Sequence, residues 1–402
     1  MPAALCTTRV TGHRQLPGRP GRTTVALVLL GLTACLPVAT GSYSGPESDN
    51  FDGRRFFNQG RPAEHGFFTF LKWVATRRRG YWPQWIEERP GPRPPDYAGA
   101  GRLRITFINH ATMLVQMDGT NILTDPIWSE RASPVRFLGP RRIRPPGIRF
   151  DDLPPIDAVV ISHNHYDHLD TATLRRLAEK HAPRIFVPLG NSAVLAGSGI
   201  APVTELDWWQ QAPISDSLRV VCVPARHFSG RGITDHNRAL WAGFVFESSS
   251  GSVYFAGDTG FGPHFEQIAD RFERIRLAML PIGAFRPRWF MASGHLSPDQ
   301  ALAAHAILGA QTSIAMHFGT FPLGDDAWDE PVITLDAVLK RAGSVCPRFL
   351  VLECGQGLDL AAVNGAAAVH MQAGREPGGR QMNQRLRVPP GNTHTVNPDG
   401  ER

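Results

Sequence analysis

Apolar runs of strand length recur along residues 101–354 and are separated by polar turns that contain glycine or proline. Runs of about four to eight residues rich in β-branched and aromatic side chains are typical of β-strands. Segments with helical spacing lie between several of these runs, and Ser297 followed by Pro298 is a typical helix start. Hairpins first, and then strands alternating with helices, predict an α/β fold in which two packed sheets are covered by helices on their outer faces. The predicted strands are residues 103–108, 112–117, 120–124, 156–162, 184–187, 218–223, 240–247, 253–256, 277–282, 312–316 and 349–352, and the predicted helices are residues 171–181, 298–308 and 331–342.

The start of the chain resembles a targeting segment. Residues 1–22 contain four arginines and no acidic residue, and residues 25–32 are continuously apolar, which is typical of a secretory signal peptide. The apolar run is shorter than the roughly 20 residues that span a bilayer. The sequence Leu-Thr-Ala-Cys that ends at Cys35 resembles the lipobox of bacterial lipoproteins. We therefore expect a protein anchored by lipid at Cys35 on the periplasmic side of a bacterial cell envelope; the alternatives are ordinary cleavage or an unused leader, which leaves the protein cytoplasmic.

Composition divides the chain into four segments. After a lipoprotein-type signal peptide at residues 1–35, residues 36–100 are rich in Gly, Pro, Arg and aromatic residues, which predicts an N-terminal arm packed onto a domain. Residues 101–354 form that domain, and residues 355–402 contain few large apolar residues, which predicts a disordered tail. The formal charge of +6 falls to +2 (6 − 4) without the four leader arginines. Charge therefore gives no support for a nucleic-acid partner.

Three histidines and an aspartate follow the predicted strand 156–162 within six residues. Such groups rarely cluster unless a cation holds them. The alternative is a histidine-rich surface loop that binds no metal. In an extended loop His163 and His165 face the same side, while Asp167 and His168 reach a second point. Two sets of ligands predict two metal ions. Nitrogen and carboxylate ligands without a thiolate favour zinc, and iron or manganese accept the same set.

The remaining ligands are predicted from polar residues that stand just past the ends of other apolar strands. His227, Asp258 and His317 each occupy such a position. The predicted arrangement has one ion held by His163, His165 and His227, a second ion held by Asp167, His168 and His317, and Asp258 bridging the two.

The motif His-x-His-x-Asp-His and the later His, Asp and His resemble the metallo-β-lactamase fold hydrolases. The sequence is more closely similar to the N-acyl-phosphatidylethanolamine-hydrolysing phospholipase D family. This resemblance implies a four-layer αββα sandwich and two zinc ions, and it places the family's metal ligands on all seven residues named above. Two departures are Asn109, where the family usually has glycine, and the signal-like leader, which the mammalian enzymes lack. The resemblance runs from residue 51 to slightly beyond residue 317 and includes residues 110–112, 124–126, 153–157, 205–209, 256–260, 287–291 and 317–321.

The same resemblance implies a phospholipase D reaction on a phosphodiester. The expected activity is hydrolysis of N-acyl-phosphatidylethanolamine, or a related phospholipid at a membrane surface, to phosphatidate and an N-acylethanolamine. Tyr166 and His295 resemble the residues that contact the phosphodiester. His295 is expected to stabilise phosphoryl oxygens or donate a proton, and Asp167 to accept the proton of the nucleophile. The alternatives are a lactone or ester hydrolase using the same centre, and a non-catalytic metal-binding lipoprotein of the envelope.

The other histidines receive simpler interpretations. His110, in a predicted turn, is either a hydrogen-bond partner of a metal ligand or a structural turn residue. His181, His236, His264 and His305 do not follow a strand end and are predicted to be surface or helix residues.

Overall fold

The structure is a computed structural model that describes residues 40–60, 66–99, 101–232, 234–343 and 347–360. The predicted signal peptide with Cys35, and the predicted tail from residue 361 onward, lie outside the described residues. Within the described residues, none of the helices is long and apolar enough to cross a membrane.

Two sheets are formed by the strands of the described segments. The strands are β1 (Leu103–Asn109), β2 (Thr112–Met117), β3 (Thr120–Thr124), β4 (Ala158–Val160), β5 (Arg184–Pro188), β6 (Thr204–Leu206), β7 (Gln211–Pro213), β8 (Arg219–Val223), β9 (Gly243–Ser248), β10 (Gly251–Phe255), β11 (Ile275–Pro281), β12 (Ser313–Met316), β13 (Phe349–Leu350) and β14 (Gly357–Leu360). The helices are α1 (Phe67–Thr76), α2 (Thr171–His181), α3 (Ser192–Ala196), α4 (His264–Arg271), α5 (Arg288–Met291), α6 (Pro298–Leu308) and α7 (Glu330–Arg341).

The first sheet has the order β14-β1-β2-β3-β4-β5-β6, and the second has the order β13-β12-β11-β10-β9-β8-β7. In both sheets antiparallel pairs lie on one side and parallel pairs on the other: β3 to β6 are parallel in the first, and β10 to β13 are parallel in the second. Parallel neighbours require crossover connections, which α2, α4 and α6 provide.

Alternation along the strands separates the interior between the sheets from the outer faces. In β1, Leu103, Ile105 and Phe107 belong to the large central cluster, which also contains residues of the second sheet, whereas Ile108 packs in an outer cluster. Successive strand side chains point to opposite faces, so both faces of this sheet are buried. The outer cluster contains Leu174 of α2, and α6 packs against β11 on the second sheet. The predicted αββα sandwich is confirmed.

The C-terminal limit of the domain differs from the predicted one. β14 pairs antiparallel with β1, with Leu103 opposite Leu360. The predicted boundary at residue 354 is therefore wrong by at least six residues (354 to 360), and residues 355–360 belong to the first sheet. Because this strand contains only two large apolar residues, its sequence carries a weak strand signal, and its pairing partner lies at the far end of the domain.

Strand direction gathers the chain segments that follow several strands at one edge of the sandwich. In the second sheet β8 runs parallel to β10, because both pair antiparallel with β9, and β10 runs parallel to β11 and β12. In the first sheet β1, β3 and β4 share one direction for the same reason. Residues just after these strands are therefore neighbours in space.

Candidate metal centre

The loop from β4 to α2 is fixed at both ends and tightly turned in the middle. Asp170 caps α2, because its Oδ1 accepts hydrogen bonds from the backbone N–H groups of Ala172 (3.1 Å) and Thr173 (3.3 Å). The backbone N–H groups of residues 168 and 169 both donate to the carbonyl oxygen of His165, at 3.1 and 2.8 Å. This conformation brings His163, His165, Asp167 and His168 into one cluster.

Close approach of two loops joins the sheets at this edge. Gly257, which follows β10, has φ of +59°, and a Cβ atom there would lie 2.5 Å from the Cβ of Ser162. Glycine alone among the amino acids accepts this conformation and this contact without strain. The neighbouring residues His163 and Asp258 are thereby brought into the same cluster.

His163, His165 and His227, the first predicted ligand set, lie close together in the structure. The Nε2 atom of His163 lies 2.8 Å from Nδ1 of His165, and Nε2 of His227 lies 3.2 Å from that same Nδ1. The other ring nitrogens are held by the chain: Nδ1 of His163 is 2.9 Å from Ser162 Oγ, and Nδ1 of His227 donates to the Gly294 carbonyl at 2.9 Å. Burial lowers the pKa of His163 and of His227 well below its usual value and that of His165 to about 4. All three rings are therefore neutral at pH 7 and offer lone pairs to a cation.

Asp167, His168 and His317, the second predicted ligand set, also lie close together, beside His110. Oδ2 of Asp167 lies 3.1 Å from Nε2 of His168 and 3.4 Å from Nε2 of His317. Burial opposes charge on both rings, yet the surrounding aspartates raise the pKa of His168 well above its usual value and that of His317 to about 9. Burial also opposes charge on Asp167, but the neighbouring His168 and a hydrogen bond with His110 hold the pKa of this carboxyl well below its usual range. The neighbouring carboxylates therefore favour the protonated form of the His168 and His317 rings, in contrast to the first set.

Asp258 lies between the two sets. Its Oδ2 atom is 3.1 Å from His317 Nε2, 3.3 Å from His168 Nε2 and 3.8 Å from His227 Nε2. Burial acts to raise the pKa of Asp258, but His317 and His168 outweigh it and hold the pKa well below its usual range. An ionised carboxylate in this position can be shared by two cations.

The two residues expected to contact substrate lie in different surroundings. Nδ1 of His295 is 3.8 Å from Asp258 Oδ2 and has no hydrogen-bond partner, and 14% of the side chain is exposed. Burial lowers the pKa of His295 to about 4, so the ring is neutral at pH 7 and the expected proton donor is not charged. Tyr166 donates its hydroxyl hydrogen to the Arg231 carbonyl at 3.0 Å, and the Arg231 guanidinium lies 3.9 Å from the centre of its ring.

Three further residues support the ligands. His110, in the turn between β1 and β2, lies with Nε2 2.9 Å from Asp167 Oδ2, which agrees with the first interpretation given above. Asp125 follows β3 and lies with Oδ2 2.6 Å from His168 Nδ1. Such partners orient a ligating ring and fix its tautomer. Arg231 donates from Nη1 to the carbonyl oxygens of residues 164 and 169, at 2.8 and 3.0 Å. These bonds fix the loop between β4 and α2, which we call the metal loop.

The remaining histidines are partly as predicted. His264 and His305 lie in α4 and α6, but both are buried. Nε2 of His264 is 3.0 Å from Thr259 Oγ1, and Nδ1 of His305 is 2.8 Å from Ser313 Oγ. These rings are buried as neutral groups. Loss of solvation, for example, lowers the pKa of His264 to about 3.

The cluster fits a divalent metal ion. Among the described residues, His168 Nε2, His317 Nε2 and Asp258 Oδ1 are buried and lack a hydrogen-bond partner. Buried polar atoms are rarely left unsatisfied. The two nitrogens can donate a lone pair once they are deprotonated, and the carboxylate oxygen can do so directly. Four overlapping groups of potential ligand atoms occur here, formed by the seven predicted ligands together with His110 and His295.

Comparison with known proteins identifies the family. A model of the beta-lactamase superfamily domain matches residues 120–318. The chain is 40% identical over 240 residues to an N-acyl-phosphatidylethanolamine-hydrolyzing phospholipase D 1 of Caenorhabditis elegans, covering 57% of this chain and 67% of that protein. The chain belongs to the metallo-β-lactamase superfamily.

Two further proteins are less similar in sequence than the Caenorhabditis elegans protein. A metal-dependent hydrolase of Methanopyrus kandleri is 32% identical over 225 residues, covering 55% of this chain and 86% of that protein. The crystal structure of an isothiocyanate hydrolase from Delia radicum gut bacteria superimposes with a TM-score of 0.51 at 19% identity, over 64% of this chain and 99% of that one. Family membership and the His/Asp cluster together make this protein a metal-dependent hydrolase.

Proposed function

We propose that the protein is a zinc-dependent phosphodiesterase of phospholipase D type that hydrolyses N-acyl-phosphatidylethanolamine or a related phospholipid. The products are phosphatidate and an N-acylethanolamine. The observation that carries this proposal is the 40% identity over 240 residues to the Caenorhabditis elegans protein that bears this activity in its name. The seven predicted ligands all lie within the matched family domain, at residues 120–318.

Two ions are proposed because Asp258 lies within reach of both ligand sets. His163, His165 and His227 would hold one ion, and Asp167, His168 and His317 the other. Zinc suits this set of imidazole and carboxylate donors, and iron or manganese are alternatives. Bound ions would supply Lewis acidity, which polarises a phosphoryl oxygen and lowers the pKa of water.

His295 is the proposed substrate-contacting residue. Its Nδ1 atom has no hydrogen-bond partner in the described structure and lies beside Asp258, while part of the ring is exposed. A neutral imidazole in this position can donate a hydrogen bond to a phosphoryl oxygen, and the charge of a bound phosphodiester would favour its protonation. Asp167 is a weaker candidate for the predicted base, because its Oδ2 is already 2.9 Å from His110 Nε2 and 3.1 Å from His168 Nε2. We therefore assign Asp167 mainly to metal binding.

Exposed aromatic side chains near the cluster support a lipid substrate. Phe228 is 40% exposed, and its ring centre lies 4.6 Å from those of His165 and His227. Trp289 is 45% exposed and lies on α5, just before His295 in the chain. Helix α1 contacts α5 through the stacked rings of Trp73 and Phe290, 4.7 Å apart, and carries Phe68, which is 84% exposed. Apolar surface next to a polar centre suits an amphiphilic substrate presented at a membrane surface.

The proposed location remains the cell envelope, with lipid at Cys35. This assignment is supported by the leader sequence alone. A lipid anchor would place the enzyme on the surface that contains its substrate, so that the two meet by diffusion in the plane of the membrane.

The test is an assay of metal-loaded protein on vesicles that contain N-acyl-phosphatidylethanolamine, with products identified by mass spectrometry. In water enriched in oxygen-18 we expect the label in phosphatidate, because water attacks phosphorus. A parallel panel of lactones and esters separates the alternative reaction. Hydrolysis of that panel without any release of phosphatidate would overturn the proposal in favour of carbonyl chemistry.

A further inference from the structure

Asn58 connects the N-terminal arm to the metal centre. Its side chain is buried and pairs with both backbone polar groups of His227: Nδ2 donates to the His227 carbonyl at 2.8 Å, and Oδ1 accepts from the His227 N–H at 3.0 Å. Oδ1 also accepts from Trp241 Nε1 at 3.1 Å. Because the carboxamide is used as donor and acceptor at once, its orientation is fixed by the network.

The arm that carries Asn58 is firmly attached. Phe51 and Phe56 are 1% exposed, belong to the central cluster and lie with ring centres 4.7 Å apart. Tyr43 packs on both rings, at 5.0 and 5.4 Å. Asn50 donates from Nδ2 to Asp207 Oδ1 at 2.8 Å, and the Phe56 N–H donates to the Asn237 carbonyl at 2.8 Å. Asn58 is thus presented from a supported segment.

His227 depends on such support because it lies outside the sheet ladders. Strand β8 ends at Val223, and β9 begins at Gly243. The ring of His227 is oriented by the Gly294 carbonyl, which accepts from Nδ1. Its backbone is held by Asn58 through the two bonds that a neighbouring strand would otherwise provide.

We propose that Asn58 is a positioning residue of the metal centre, which fixes the backbone of His227 and so the direction of its ligating nitrogen. The N-terminal arm is then part of the metal site, although the matched family domain begins only at residue 120. This inference concerns metal binding and does not depend on which substrate the enzyme hydrolyses.

The test is titration of the metal-free protein with zinc in competition with a chromophoric chelator, which gives an affinity for each ion. Losing an outer partner of a ligand typically weakens metal binding by about 10-fold to 100-fold. We expect that loss for one ion in Asn58→Ala, while the other ion keeps its wild-type affinity. With cobalt, the ion that Asn58→Ala still binds with wild-type affinity should give the same absorption spectrum as the ion retained by His227→Ala.

Asn50→Ala is the matched control, since it removes a buried side-chain bond of the same arm without touching His227, and wild-type affinities are expected. Asn58→Asp keeps the shape of the side chain but places an oxygen against the His227 carbonyl. The affinity for the same ion should therefore fall. If Asn58→Ala does not fold, as judged by circular dichroism, Asn58→Asp decides. Wild-type affinities in a folded Asn58 variant, or an equal loss in Asn50→Ala, would overturn the inference.

Discussion

The two ligand sets of the metal centre differ in what holds their side chains in place. In the first set the rings are neutral, and the outer nitrogens of His163 and His227 are fixed by the Ser162 hydroxyl and the Gly294 carbonyl. In the second set the rings of His168 and His317 are paired with buried carboxylates at 2.6 to 3.4 Å. One set is therefore organised by uncharged hydrogen bonds and the other by paired charges.

This difference indicates how each set would receive an ion. Three neutral imidazoles add no charge to a bound cation, so Asp258 is the carboxylate near His227 that balances it. The second set already contains Asp167, and Asp258 is shared. We therefore predict that both proposed ion sites depend on Asp258.

Asp258→Ala should give the largest effect of any single substitution. We expect loss of both ions and of measurable turnover, where wild-type protein purified without chelators contains about two ions per chain. Elemental analysis and a steady-state assay measure this. Asp216→Ala, at an exposed site, is the control and should behave as wild type. Wild-type activity with one ion or none would contradict the two-ion arrangement.

His227→Ala and His317→Ala test the division into two sets. Each variant should retain about one ion per chain, because each removes a ligand from a different set. Elemental analysis gives the content, and cobalt spectra should differ between the two retained ions. Loss of both ions in both variants would mean that the cluster binds metal only as a single unit.

His295→Ala should retain its metal and lose turnover. Removing a positioned acid or base typically lowers the rate by about 100-fold to 10,000-fold. We expect a loss in this range, with partial recovery in His295→Gln if the residue acts by donating a hydrogen bond. Steady-state kinetics beside elemental analysis decide the matter. Loss of metal would instead identify His295 as a ligand. Its Nδ1 lies 3.8 Å from Asp258 Oδ2, close enough for the two residues to share an ion.

Tyr166→Phe should give the smallest effect. The hydroxyl hydrogen bonds to the Arg231 carbonyl, and a lost hydrogen bond of this kind is worth about 1 kcal/mol. We expect a few-fold change in turnover, with unchanged metal content. A loss as large as that of His295→Ala would show that the hydroxyl contacts the reacting group.

The sequence alone was enough to predict that polar residues just after apolar strands would lie together. The structure brings His163, His227, Asp258 and His317 together because β4, β8, β10 and β12 end at one edge, and strand ends can be seen in the sequence. Their roles as ligands stay predictions. Asp125 has the same signal, since it directly follows β3, and could have been found by the same rule.

Other features have no signal in the sequence. Arg231 supports the metal loop through two carbonyl oxygens, and such backbone contacts depend on how distant segments meet. Asn58 is likewise an ordinary residue of a Gly- and Pro-containing arm until its contact with His227 is known. β14 depends on pairing with a strand from the start of the domain, which the local pattern does not show.

The close contact between Gly257 and Ser162 has a consequence for folding. The metal centre draws residues from both sheets, so its full ligand set exists only after the sheets have docked. Ions that bind this set stabilise the native state over the unfolded chain by mass action. Because His227, Asp258 and His317 lie far in sequence from the ligands at residues 163–168, bringing all of them together costs loop-closure entropy before an ion can bind the full set. Metal uptake during refolding would therefore report the docking of the two sheets, a late event, and would not nucleate the fold.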